Sequence, residues 1–102
     1  MTKEKIRTLT SRAYLYMSCF RSYTIKGHPK YDEYLLFTVA NNDGYIEFEL
    51  TNLATQDVTK LENPAFDTYI FPLEKGAKYN FVIRAKLAKG SYKIQRKTII
   101  DK

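Results

Sequence analysis

Leu35-Leu36-Phe37-Thr38-Val39-Ala40-Asn41-Asn42-Asp43-Gly44-Tyr45-Ile46-Glu47-Phe48-Glu49-Leu50 is the stretch on which the fold turns. Leu35, Phe37 and Val39 recur at every second position, and so do Ile46, Phe48 and Leu50, the latter three separated by glutamates. Two-residue alternation is the mark of a strand with one buried face. Asp-Gly between two such runs predicts a hairpin over 34–53 turning at Asp43-Gly44, because both positions of a tight two-residue turn need φ > 0. In that register Val39 faces Phe48 and Phe37 faces Leu50, so these four are expected to be buried together. Glu47 and Glu49 then share the opposite face, about 7 Å apart by strand rise. Glycosidase carboxylates can stand at such a spacing, but on an open strand the pair reads as a solvated sheet face.

Working outward, a second hairpin is expected over 78–100. Tyr79, Phe81, Ile83, Ala85 and Leu87 alternate with Lys78, Asn80, Val82, Arg84 and Lys86, Lys89-Gly90 supplies the turn, and Tyr92, Ile94, Thr98 and Ile100 line the return strand. Arg96 falls on that apolar face beside Ile83; a bulge, or a core that ends early, accommodates it. Phe66 to Phe71 reads as a short strand that Pro72 ends or holds at an edge. Residues 55–61 form a weaker strand. The N-terminal third carries both helical and alternating spacings; its Thr and Tyr content favours strand over 12–26, with 1–11 a flexible or helical arm. Gly27-His28-Pro29-Lys30 closes that segment as a loop.

A length of 102 residues holds one core. The chain therefore reads as one all-β domain, 1–102: a small antiparallel β-sandwich, or partly open barrel, of six or seven short strands. Leu73, Gly76, Tyr79, Ile83 and Ala85 resemble the tyrosine-corner stretch of fibronectin type III-like sandwiches. The chain lacks the tryptophan such domains usually carry, and no family is assigned from this short likeness.

Little chemistry is available to such a chain. Cys19 is the single cysteine, so no disulfide forms within the chain, and it reads as a small buried or half-buried residue. His28 is the single histidine and lies in a polar loop, without an evident nucleophile or metal-ligand spacing beside it. Asp32-Glu33 and Asp43 read as turn residues rather than calcium ligands. The four glycines are isolated from one another, so no phosphate-cradling loop is present. The expectation is a protein that is not an enzyme and needs no cofactor or metal. No export signal or long apolar segment is visible, which with a single cysteine points to the cytoplasm.

Charge is distributed unevenly. Residues 1–30 hold seven Lys/Arg and one acid (+6), residues 31–74 one Lys and nine acids (−8), and residues 75–102 nine Lys/Arg and one acid (+8). Either basic and acidic strands neutralise one another in the sheet, or the surface is dipolar and docks a charged partner. In the expected second hairpin Lys78, Arg84, Lys86, Lys93 and Lys97 share one face and Lys89 caps the turn, with Lys86 directly opposite Lys93. Like charges so placed repel and call for a compensating group. The function expected is a non-enzymatic interaction module: an adaptor, inhibitor or assembly subunit. It would bind a protein partner with an acidic surface, or a second copy of itself, through this basic face and exposed tyrosines. An open sheet edge offers another route to a partner. The alternatives are a sequence-tolerant nucleic-acid binder on the same face, weakened because Tyr79, Phe81 and Tyr92 turn inward, and a carbohydrate-binding sandwich from a secreted parent.

Overall fold

The computed structural model describes residues 2–101, with side chains over 3–100. The chain is all-β and antiparallel, with five strands: β1 (Thr2–Lys26), β2 (Asp32–Asn52), β3 (Val58–Glu62), β4 (Asp67–Leu73) and β5 (Lys78–Asp101). They form one sheet in the order β1-β5-β2, and the outer flank of β2 is shared by β4 along residues 33–39 and by β3 along residues 47–51. Residues 2–11, expected as an arm, are strand and pair with β5.

Neither Asp43-Gly44 nor Lys89-Gly90 is a hairpin turn. β2 and β5 each run straight through and pair with one another. The reason is local. A type I′ turn needs φ > 0 at both central residues, whereas of Asp43 and Gly44 only Gly44 is positive, at 74°. One such residue makes a bulge. Bulges interrupt β1 around Tyr14–Cys19, β2 around Asn41–Tyr45 and β5 in the facing stretch, so they line up as a crease across three strands. Tyr16 and Leu87 on this crease also have positive φ, at 51° and 48°. Backbone passes close here: a Cβ on Gly44 would collide with the Leu87 carbonyl oxygen, and one on Gly90 with that of Ala40.

The crease folds the sheet onto itself. Eleven residues of straight strand span about 36 Å, yet the rings of Phe37 and Phe48 stack with centroids 4.6 Å apart. The first half-sheet (2–14, 32–40, β4 and 91–101) therefore packs against the second (17–26, 45–52, β3 and 78–86). The core lies between them: Leu35, Phe37, Val39, Ile46, Phe48, Leu50, Phe81, Ile83, Tyr92 and Ile94 are all buried. Phe37, Val39, Phe48 and Leu50 are thus buried together as expected, but as facing layers. Their strand neighbours are Ile94, Tyr92, Ile83 and Phe81. Three long bent strands do the work expected of six or seven short ones.

At the open end opposite the crease, the loop from Gly27 to Tyr31 joins the two halves. Gly27 donates its N–H to the Ala77 carbonyl (2.8 Å). The hydroxyl of Tyr79 accepts the N–H of Glu74 (2.8 Å), a tyrosine tied back to the backbone upstream as in a tyrosine corner.

Candidate functional site

The basic residues of β5 do not share one hairpin face. Lys78, Arg84 and Lys86 lie in the second half-sheet, Lys93 and Lys97 in the first, and Lys89 on the crease. Lys86 stands opposite Tyr45, and Lys93 opposite Thr38 and Ser11, so the expected Lys86–Lys93 repulsion is not present. Two of the six are engaged internally. Arg84 bonds Glu47 (3.2 Å) and Glu49 (3.3 Å), with its guanidinium carbon 5.2 Å from the centre of the Phe20 ring. Lys97 reaches Glu4 (3.2 Å).

Glu47 is not on a solvated face. It is buried, because β3 brings Lys60 over it (2.7 Å) while Arg84 approaches from β5. The Lys60 hydrogen bond, with help from Arg84 and against burial, holds the Glu47 carboxyl below the usual carboxylate range. In return the Lys60 amine is pushed up to about 12. Nothing in Glu47's own neighbourhood in the sequence signals this; the signal is Lys60 in a strand that reads weakly.

The second internal arginine closes the open end. Arg96 follows Ile94 on the inward face of β5, and Glu33 precedes Leu35 on the inward face of β2, so an ion pair stands where the apolar layer stops. Arg96 is misfit neither to a bulge nor to Ile83; its strand partners are Leu35 and Arg7. Glu33 is strand rather than turn and only 3% exposed. Each of its oxygens has two donors. Oε1 takes the His28 N–H (2.6 Å) and Arg96 Nη2; Oε2 takes Arg96 Nε (2.8 Å) and the Thr98 hydroxyl (2.6 Å). Arg96 also donates to the carbonyl of Lys26 in the opposite half-sheet. Burial pushes the Glu33 carboxyl up, but these hydrogen bonds and the adjacent guanidinium outweigh it, and the net pKa lies below the ordinary 4.5.

This clasp forms the floor of a cavity of about 400 Å³ between the half-sheets, whose lining includes Lys5, Arg7, Lys26, His28, Tyr31 and Ile100. His28 is half-buried, with its ring 4.7 Å from that of Tyr31. Its Nδ1 accepts the N–H groups of Lys30 (3.0 Å) and Tyr31 (3.3 Å), which puts the proton of the neutral ring on Nε2. Cys19 is half-buried against the core. Among the described residues no group of His, Cys, Asp and Glu is gathered to hold a metal, and no helix is long and apolar enough to cross a membrane.

Among the described residues Lys78, Lys86, Lys89 and Lys93 of β5 make no ion pair, and the same holds for the cations along β1. Among the described residues Lys3, Lys5, Arg7, Arg12, Arg21 and Lys26 make no ion pair. Across the β1–β5 ladder Arg7 faces Arg96 and Lys26 faces Lys78. Among the described residues the other edge of β1 pairs with no strand, and Leu15, Tyr16 and Phe20 are exposed along it. Sequence reasoning put the basic residues of 78–97 on one face because it made β5 a hairpin. The signal for β1 was the +6 of residues 1–30.

No protein-family model and no curated protein matches this sequence. Among solved structures it is similar to the P-domain of Macrobrachium rosenbergii nodavirus, at 10% identity over 94% of this chain and 92% of that chain, with a TM-score of 0.38. It is also similar to the P-domain of Penaeus vannamei nodavirus, at 14% identity over 94% of this chain and 99% of that chain, with a TM-score of 0.37.

Proposed function

We propose that the chain is a non-catalytic interaction module that binds an acidic protein segment along β1. One observation carries this reading: the arginines of β5 are taken up by carboxylates of β2, while the six cations of β1 have no carboxylate among the described residues. Unneutralised charge along one edge steers an oppositely charged partner. The unpaired N–H and C=O groups of that edge supply backbone hydrogen bonds to an added strand. Leu15, Tyr16 and Phe20, exposed on the same strand, supply apolar anchors.

The test uses two labelled probes of equal charge: a peptide of about ten residues alternating Glu and Val, and a single-stranded oligonucleotide, each titrated at about 50 and 200 mM salt. The peptide should bind at both salts and lose affinity on Arg12→Glu and Arg21→Glu. Tight oligonucleotide binding at the higher salt, with none of the peptide, would replace this reading by the nucleic-acid one.

A further inference from the structure

The open-end cavity has more cation than its structural role requires. Four cations line it, Lys5, Arg7, Lys26 and Arg96, against one carboxylate, Glu33. Glu33 has no capacity to serve the other three, because both of its oxygens already accept two donors each. Arg7 stands directly across the ladder from Arg96, an arrangement that is unfavourable on its own. His28 adds a donor rather than an acceptor, since its Nδ1 is occupied by two backbone N–H groups. The uncommitted charge facing this space is therefore all positive, about three units, and a dianion offsets it better than a monocarboxylate.

The cavity is also larger than a bare inorganic anion needs. Its volume, about 400 Å³, lies in the range of pockets that hold small organic ligands. Part of its wall is flat or apolar: the neighbouring rings of His28 and Tyr31, with Pro29 and Ile100. We propose that this cavity binds a small phosphate monoester carrying a planar ring, with the phosphoryl group on Arg7, Lys5 and Lys26 and the ring against His28 and Tyr31. Arginine and lysine hold phosphate by charge-assisted hydrogen bonds that are stronger than neutral ones. The proposal does not rest on the partner reading, although the exposed Lys5, Arg7 and Lys26 belong to both sets of cations.

The experiment is calorimetric titration of the full chain with adenosine monophosphate, ribose 5-phosphate and adenosine as probes. Adenosine monophosphate should bind, ribose 5-phosphate more weakly, and adenosine not measurably. Arg7→Ser should weaken the first by about tenfold, the loss expected for one charge-assisted contact. Arg12→Ser, which changes a β1 cation outside the cavity, should leave it unchanged while weakening the acidic peptide. Melting curves of both variants establish that they are folded. The proposal is overturned if adenosine monophosphate does not bind at about 1 mM, a weak-binding limit, if adenosine binds as well, or if Arg12→Ser is as harmful as Arg7→Ser.

Discussion

On its β2 flank, strand β5 meets carboxylates: Arg84 bonds Glu47 and Glu49, and Arg96 bonds Glu33. On its β1 flank it meets cations, Arg7 beside Arg96 and Lys26 beside Lys78, and among the described residues Lys97–Glu4 is the one ion pair that joins β1 to β5. Both flanks are antiparallel ladders interrupted at the crease, so the backbone does not explain the difference. The β2 charges are part of how the sheet holds its shape. The β1 charges add repulsion to the folded chain, and on the proposed reading they serve a ligand or partner instead. If so, charge variants on the two flanks should separate: one set should lower stability, the other binding.

The largest effect should come from neither flank but from the core that both support. Phe48 is fully buried and touches the rings of Phe37, Phe71 and Phe81 from both half-sheets. Phe48→Ala should cost about 3–5 kcal/mol in denaturant unfolding. A loss below about 1 kcal/mol would mean that the half-sheets do not share a core.

On the β2 flank, Arg96→Met leaves the buried Glu33 carboxylate without its guanidinium, and the loss expected for a broken buried pair is about 3 kcal/mol. The Glu33→Leu, Arg96→Met double variant should recover most of it, because no buried charge is then stranded. Equal losses in the single and double variants would make Arg96 a packing residue rather than an ionic one. Arg84→Met, on the exposed side of the same flank, should lower the melting temperature less than Arg96→Met does.

Acid sharpens the same contrast. The pKa of Glu33 in the folded chain lies below 4.5, so its contribution is complete above that value and is lost as the pH falls through the lowered pKa. Glu47 behaves in the same sense. Unfolding followed from pH 7 downward should show stability falling on the acid side, and Glu33→Gln should flatten part of that fall. Parallel curves for parent and variant would remove Glu33 from the account.

The alternation around Asp43-Gly44 made the inward residues legible and hid the connection between them. A two-residue turn and a bulge both reset the alternation, and both want a glycine with φ > 0, so Phe37 and Phe48 read as buried under either. What separates the cases is the sign of φ at Asp43, which goes with the presence of Leu87 and Gly90 of the partner strand across the crease. The same ambiguity at Lys89-Gly90 turned one long strand into an expected hairpin and gathered Lys86 and Lys93 onto a shared face. Arg96 was legible as an interruption of the apolar face. Its partner was not, because Glu33 sits next to Asp32 in what reads as a turn. Its phase with Leu35, Phe37 and Val39 was the available signal. The cations of β1 were legible as net charge, but their lack of carboxylate partners is a matter of which strand lies beside β1.

The division between the flanks is tested most directly by the stability of a Lys5→Ser, Arg7→Ser, Lys26→Ser triple variant, measured by urea unfolding at low salt. Arg7 and Lys26 face other cations across the ladder, Lys5 lines the same cavity, and none of the three makes an ion pair among the described residues, so removing them takes away repulsion and no attraction. The urea midpoint should equal or exceed that of the parent. A midpoint clearly below the parent would mean that the β1 charges hold the fold together, and the separation of structural from binding charge would be wrong.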